Sequence, residues 1–390
     1  MVMLKDRAKS GIKTPRQKAL TFGATSIFFL VLILSLPPAA SARVTGPCAN
    51  CHTMHNSQGG LPVAPGGPYG QLLVGDCVGC HSASDGATWK DPVTGAPIVN
   101  NTGQPSYGSQ GLADGNFYWV TVNDGNGHNI FSTNPDDVLT SAPGEAYVGG
   151  GCGTNVCHSN LHLPFQASSE FDPIHGYLNG RSGCTGCHMV SGFNKFSQIK
   201  SWHHTSVTDG VADSAAEEWY RFLSGHYSGY PYGVAGIENG DWQYTSSAND
   251  HNEYLGKQVA SGTGGFVSIQ ANTVTAFCCG CHGKFHIKRQ GGAWIRHPVD
   301  RRIPASGEYA DAFGAAGTGS GTYDPIVPVA RPALVAVSDT VTIGTDMVMC
   351  LSCHRAHASP FPDMLRWDYA TIQASGGGNG GCFQCHTRKN

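Results

Sequence analysis

Six copies of the pattern C-x-x-C-H constrain this chain more than any other feature. They are "CANCH" (Cys48, Cys51, His52), "CVGCH" (Cys77, Cys80, His81), "CTGCH" (Cys184, Cys187, His188), "CCGCH" (Cys278, Cys281, His282), "CLSCH" (Cys350, Cys353, His354) and "CFQCH" (Cys382, Cys385, His386). With 15 cysteines and 18 histidines among 390 residues, chance supplies about 0.03 copies. So many cysteines first suggest a disulfide framework, but neither a disulfide nor zinc needs a histidine fixed behind every second cysteine. Covalent haem attachment does need this order. Two thiols bond to the macrocycle and the histidine that follows lies under the iron as its proximal ligand. A further segment, "CGTNVCH" (Cys152, Cys157, His158), spaces its cysteines two residues wider and reads as a seventh haem site, with a disulfide or an unused pair as the alternative. Cys279 is then left over beside the correctly spaced Cys278, and reads as a small buried thiol.

Fold class follows from what surrounds these sites. Gly 53 and Pro 22 make up nearly a fifth of the chain, and charged residues only 13%, so long regular elements are disfavoured. The expectation is a mostly irregular, loop-rich fold with short α-helices at the attachment sites and few strands, organised around a stacked chain of haems. Residues 1–42 have the three parts of an export signal: a basic start (Lys5 to Lys18), the apolar run "SIFFLVLILSL" and the small-residue site Ala40-Ser41-Ala42. Residues 43–390 are expected to form a single heptahaem cytochrome c domain outside the cytoplasm, in the periplasm or at the cell surface. Removing the signal takes away six basic side chains and one acidic one, moving the formal charge from −3 to −8, which argues against a nucleic-acid partner. Seven haems in such a chain leave about fifty residues for each. Within a radius of gyration of about 20 Å, they must crowd together.

Eleven histidines remain after the proximal seven: His55, His128, His162, His175, His203, His204, His226, His251, His286, His297 and His357. His55 and His357 follow a proximal histidine by three residues, His162 and His286 by four, a spacing that puts both rings on one face of a helix. The second ring is then placed to reach a different haem packed alongside. His175, nine residues before Cys184, is a candidate for the fourth haem. His226 and His251 come next, with the pair His203-His204 behind them. Met54, Met189, Met347 and Met349 lie near attachment sites as alternative ligands. Two histidines on every iron leave no position open for a substrate and suit electron transfer at low potential.

Four stretches resemble the outer-surface multihaem cytochromes of metal-reducing bacteria that polymerise into extracellular nanowires, the OmcS type: "CHTMHNS" from Cys51, "GHNI" from Gly127, "RHP" from Arg296 and "CLSCHRAHAS" from Cys350. The resemblance implies that His128 and His297 are distal ligands. It also implies that His55 leaves its own subunit and binds the penultimate haem, on Cys350 and Cys353, of the next. Identical subunits would then be joined through iron into a filament, with other multihaem cytochromes and extracellular electron acceptors as further partners. The chain departs from the family's six haems at "CTGCH", and the segment from Cys152 to about Gly265 has little counterpart.

Other signals are weak. "NDGNG" (Asn123 to Gly127) has the oxygen-rich look of a calcium loop but lacks a suitably placed glutamate, so it reads as a turn. The aromatic stretch from Trp219 to Tyr254 reads as packing against haem edges, with a partner or carbohydrate site as the alternative. No nucleophile triad, phosphate loop or carboxylate pair stands out, so the chain is not expected to be an enzyme. Three roles compete: a conducting extracellular filament, a soluble periplasmic electron carrier, and a multihaem oxyanion reductase, which needs an open iron.

Overall fold

The computed structural model describes residues 41–130 (except 43, 45, 65, 66, 70, 71, 109 and 110), 184, 187, 188, 203–223 (except 205 and 215), 233–258, 271–279, 282, 297–313, 320–374 and 381–387. Contacts divide the chain into two units, Met1–Ser41 and Ala42–Asn390. The expected export signal lies, as far as residue 40, outside the described residues, and the second unit is the subject below. No helix among the described residues is long and apolar enough to cross a membrane.

Glycine and proline keep every element short. The α-helices among the described residues are α1 (Cys77–His81), α2 (Tyr118–Val122), α3 (Val274–Cys279) and α4 (Glu308–Ala312), each five or six residues long. A six-stranded sheet is assembled from strands of two or three residues: β1 (Val211–Ala212), β2 (Gly236–Ile237), β3 (Glu253–Leu255), β4 (Arg301–Arg302), β5 (Ala330–Arg331) and β6 (Met347–Val348), in the order β4-β6-β5-β3-β2-β1. Its pairings are antiparallel except β5 with β3, where Ala330 faces Tyr254 and Arg331 faces Leu255.

Ladders this short cannot hold a sheet alone, so side chains do so. Arg331 on β5 donates from Nε to Glu253 Oε2 on β3 at 2.8 Å, and from Nη1 to Asp346 just before β6. Glu253 also receives the Ser338 N–H (2.8 Å) and faces His251 Nε2 at 3.2 Å, while the His251 ring stacks on Tyr323 at 3.7 Å. These charges are buried, and such a cluster stands only when every member has a partner. One face of the sheet builds the main apolar cluster, in which Ala212, Tyr220, Tyr254, Ala330 and Met347 meet Val274 of α3 and Met349 and Leu351. Each large side chain buried there contributes about 1.5–3 kcal/mol. Met347 and Met349 therefore belong to the core. Strand β6 runs straight into Cys350, so the sheet fixes that attachment turn.

Elsewhere loops are tied by polar side chains in place of ladders. Asn101, Tyr107 and Asn116 form a buried triad in which Asn116 Nδ2 donates to Asn101 Oδ1 (2.6 Å) and to Tyr107 Oη (3.0 Å). Burial pushes Tyr107 up to about 12, so its hydroxyl stays a donor. Beside the triad, residues 357–359 are threaded between two neighbouring segments. His357 N–H donates to Asp114 O (2.8 Å), Asn116 N–H to Ala358 O (3.2 Å), His128 N–H to His357 O (3.0 Å) and Ser359 N–H to Asn126 O (3.0 Å). The close approach needs glycine on both sides: a Cβ on Gly115 would lie 1.7 Å from Ala358 O, and one on Gly127 would lie 2.4 Å from Ala358 Cβ. "NDGNG" is a turn, as its sequence suggests, with Asn123 Oδ1 accepting from Gly125 N–H at 2.9 Å.

Candidate haem centres

Among the described residues, the C-x-x-C-H motifs each fold as a single helical turn. The histidine N–H donates to the carbonyl of the first cysteine at His52 (2.8 Å), His188 (2.9 Å), His282 (2.9 Å), His354 (3.1 Å) and His386 (3.0 Å), and the sixth motif is α1 itself. One such turn gathers both thiols and the imidazole on one side. Asp76 caps α1 by accepting the Gly79 N–H at 2.6 Å. In "CLSCH" the buried Ser352 Oγ accepts from Met349 N–H (3.0 Å) and donates to Pro328 O (2.6 Å), tying the turn to its flanks.

Beyond the turn the chain does not continue as a helix, which corrects the expectation that His55 and His357 share a helix face with His52 and His354. His52 and His354 each pass into an antiparallel bridge, with Leu73 and Leu365. Arg355 N–H is taken by Met364 O at 2.8 Å, in place of an intrahelical partner. The spacing of three therefore sends the second ring away from the first.

Where those rings go is the main structural result. Five proximal imidazoles face a second imidazole: His52 with His204 (centroids 6.2 Å apart), His81 with His203 (6.1 Å), His188 with His357 (6.1 Å), His282 with His128 (6.1 Å) and His386 with His297 (6.0 Å). Rings in contact come much closer, as His251 on Tyr323 shows at 3.7 Å. Metal–imidazole bonds run about 2 Å and a ring centroid sits about 1 Å behind its nitrogen, so one ion held from both sides sets centroids about 6 Å apart. The ring nitrogens are prepared for this. Nδ1 donates to a main-chain carbonyl at His81 (Pro97 O, 2.8 Å), His128 (Ala356 O, 2.7 Å), His188 (Arg221 O, 2.8 Å), His297 (Pro298 O, 3.0 Å) and His354 (Asp363 O, 2.7 Å), and to Glu308 Oε1 at His386 (3.1 Å). A ring whose Nδ1 donates carries its lone pair on Nε2, the metal-ligating form. Burial keeps the rings neutral by pushing His81 and His188 below the ordinary value and His357 down to about 4.

His354 differs from the other five. Among the described residues no imidazole faces it, while His55 stands exposed on the turn after His52. Cys152, Cys157, His158, Cys281, His162, His175, His226 and His286 lie outside the described residues, as does Met189. His251 uses both ring nitrogens within the chain, Nδ1 on Ser247 O (3.1 Å) and Nε2 on Glu253, and is part of the core. Met54 is exposed.

The attachment sites also neighbour one another in sequence order. Cys80 lies within electrostatic range of Cys51; Cys77 is in hydrogen-bond contact with Cys184; Cys187 is near Cys278; Cys278 contacts Cys350; Cys353 is near Cys382 and Cys385. Among the described residues, six sites thus neighbour one another in sequence order from Cys48 to Cys385. His203 and His204, adjacent in the chain, face the first two sites together. Two arginines tie "CLSCH" to its surroundings. Arg366 Nε donates to Leu351 O (2.6 Å) and His354 O (3.1 Å), and Arg355 Nη1 to Leu112 O (2.9 Å) and Ala113 O (3.0 Å). Burial and the Arg366 charge push Arg355 down to about 9, which leaves it a cation at neutral pH.

Comparison with known proteins meets the same picture. Residues 344–390 match the family model for a doubled CXXCH motif. The chain is 24% identical to the C-type cytochrome OmcS of Geobacter sulfurreducens over 410 aligned positions, covering 91% of this chain and 87% of that protein. Over most of its length the chain is therefore similar to a c-type cytochrome. Among solved structures it is similar to the outer membrane cytochrome S filament from Geobacter sulfurreducens (19% identity, TM-score 0.41, covering 85% of this chain and 86% of that one) and to the OmcS nanowires of the same organism (21% identity, TM-score 0.42, 89% and 91%).

The described residues fit c-type haem on their own chemistry: thiols and an imidazole gathered in one turn, with a second imidazole at the separation one iron requires at five of the sites. Sequence reasoning ranked His203 and His204 last, yet their rings face His81 and His52. The signal was present in their adjacency, because two consecutive side chains that diverge can serve two neighbouring sites.

Proposed function

We propose that the mature chain, residues 43–390 after removal of an export signal at 1–42, holds seven c-type haems and passes electrons along them as the repeating subunit of an extracellular filament. Haem supplies an iron that takes up and gives back one electron. The chain's part is to hold the sites in line, shield them and fix their axial imidazoles. The observation that carries this reading is the set of described attachment turns that neighbour one another in sequence order, five of which have an imidazole pair 6.0–6.2 Å apart. An iron held between two such imidazoles would have no place for a substrate, and electron transfer would be the chemistry it supplies. Low potentials suit delivery of respiratory electrons to acceptors or cytochromes outside the cell.

His354 supports the polymer. Among the described residues it is the one proximal histidine that no second imidazole faces, and its Nδ1 is already committed to Asp363 O. His55 is exposed and so available to a neighbour. In this reading His55 of one subunit completes the site on Cys350 and Cys353 of the next, joining the first and penultimate sites of successive subunits. The seventh site is assigned to Cys152, Cys157 and His158. His162, His175 and His286 remain its nearest candidate partners in sequence.

The test is mature protein sheared from cells, measured for covalent haem per chain and imaged by electron microscopy, for the wild type and His55→Ala. Seven haems per chain and filaments that His55→Ala reduces to single subunits are expected. Normal filaments from His55→Ala would refute the shared ligand. Discrete wild-type particles with full haem loading would favour a soluble periplasmic carrier.

A further inference from the structure

Helix α4 is built against the last attachment turn. Tyr309, Ala310 and Ala312 of the helix pack on the apolar cluster of Ile303, Phe313 and Val341, and Cys385 packs on the same cluster. That shared cluster fixes the helix beside "CFQCH". Glu308, the first residue of α4, then grips the turn twice. Its Oε1 accepts from His386 Nδ1 at 3.1 Å, and its main-chain carbonyl accepts from Thr387 Oγ1 at 2.9 Å. The Tyr309 ring meets the His386 imidazole edge-on, with centroids 5.5 Å apart and planes at 63°. The Glu308 side chain is 13% exposed and that of His386 23%, so the contact is largely out of water. Of the six Nδ1 contacts described above, five are to neutral main-chain carbonyls and this one is to a carboxylate.

We infer that Glu308 is a positioning residue for the haem on Cys382 and Cys385: it orients the proximal imidazole and holds the site's reduction potential below the value a neutral acceptor in the same place would give. The inference rests on the haem reading above and deepens it. An imidazole whose N–H is held by a carboxylate is a more basic ligand than one held by a carbonyl. A more basic ligand favours the iron that has given up an electron. As this site is oxidised by one electron, a neighbouring haem of the same chain is reduced by one. The effect is a difference between two acceptors at one position, so its direction does not depend on what else neighbours the pair. Exchanging the carboxylate for a carboxamide leaves the surroundings of the iron one charge more positive in every case, and a contact shielded from water feels that change more strongly.

The test compares Glu308→Gln and Thr387→Val with wild type in the matured protein, by potentiometric titration followed through haem absorbance. Glu308→Gln keeps an oxygen acceptor and removes the charge, whereas Thr387→Val cuts the second tie and keeps the carboxylate. Covalent haem per chain is measured first. Too few haems in the wild type would fault the haem reading, whereas full loading with an unmoved titration faults this inference alone. Glu308→Gln is expected to move one component to higher potential by about tenfold in its equilibrium constant, 59 mV for one electron, with every haem still low-spin by electron paramagnetic resonance. Thr387→Val should leave the wild-type curve in place. An unmoved curve for Glu308→Gln, or an equal rise for Thr387→Val, would overturn the inference. Glu308→Ala should raise the same component and takes the place of Glu308→Gln if that variant loads incompletely. Loss of the last haem from both would make Glu308 a residue of maturation alone, and would overturn the inference too.

Discussion

Replacing Gly115 by alanine probes how the loops bring His357 opposite His188. Gly115 has φ +86° and pairs with Ala358, the residue after His357. A left-handed backbone costs an alanine about 1–2 kcal/mol. Its Cβ would also meet Ala358 O at 1.7 Å, a clash that only separation of the two segments relieves. Separation removes the Asn116 to Ala358 and His357 to Asp114 hydrogen bonds, about 1 kcal/mol each. The total of about 3–4 kcal/mol is a large share of the 5–15 kcal/mol typical of a domain. More diagnostic than the loss of stability is its place: His357 moves off, and the site of His188 keeps one imidazole. Thermal unfolding followed by circular dichroism should show a lower midpoint, and absorbance and electron paramagnetic resonance should show one haem turned high-spin. An unchanged midpoint with every haem low-spin would refute the threading argument.

Further predictions follow from the same geometry. His204→Ala and His203→Ala should each convert one haem, those of His52 and His81 respectively, to high-spin; spectra with every haem low-spin would remove both from the ligand set. Cys278→Ala should lose one covalent haem by mass spectrometry while Cys279→Ala keeps the full load, because only Cys278 has the correct spacing and Cys279 is buried in α3. Burial by itself would raise Glu253, but its bonds from His251 and Arg331 outweigh this and hold it below its ordinary value of 4.5. Its stabilising contribution is therefore complete above pH 4.5 and is lost as pH falls through the lower folded value. Glu253→Gln should cost about 3 kcal/mol at pH 7 in chemical denaturation, since it leaves Arg331 short of a charge partner, and the deficit should shrink in acid.

What the sequence made legible was whatever lies within one helical turn. The thiol pairs and proximal histidines are local, so Cys48 to His52 or Cys382 to His386 can be read without a fold. The scarcity of long elements was also legible, from glycine and proline. The imidazole pairs were not, because His357 meets His188 and His128 meets His282 only after loops have been threaded. The spacing of three between His354 and His357 suggested a helix, but the bridge from His354 to Leu365 ends the turn first. The six-stranded sheet was equally hidden. Its strands are too short for a period-two pattern, and Glu253, Arg331 and Asp346 hold it through contacts such as that of Glu253 with Arg331, 78 positions apart in sequence. His203 and His204 looked like the least promising pair because nothing nearby in sequence says which sites they face.

The most direct test of the account is cryo-electron microscopy of the natively matured protein, at a resolution that shows axial ligands. The account predicts a filament with a one-subunit repeat, in which the iron on Cys350, Cys353 and His354 is bound on its far side by His55 of the neighbouring subunit. A histidine of the same chain on that iron, or particles that never associate, would contradict it.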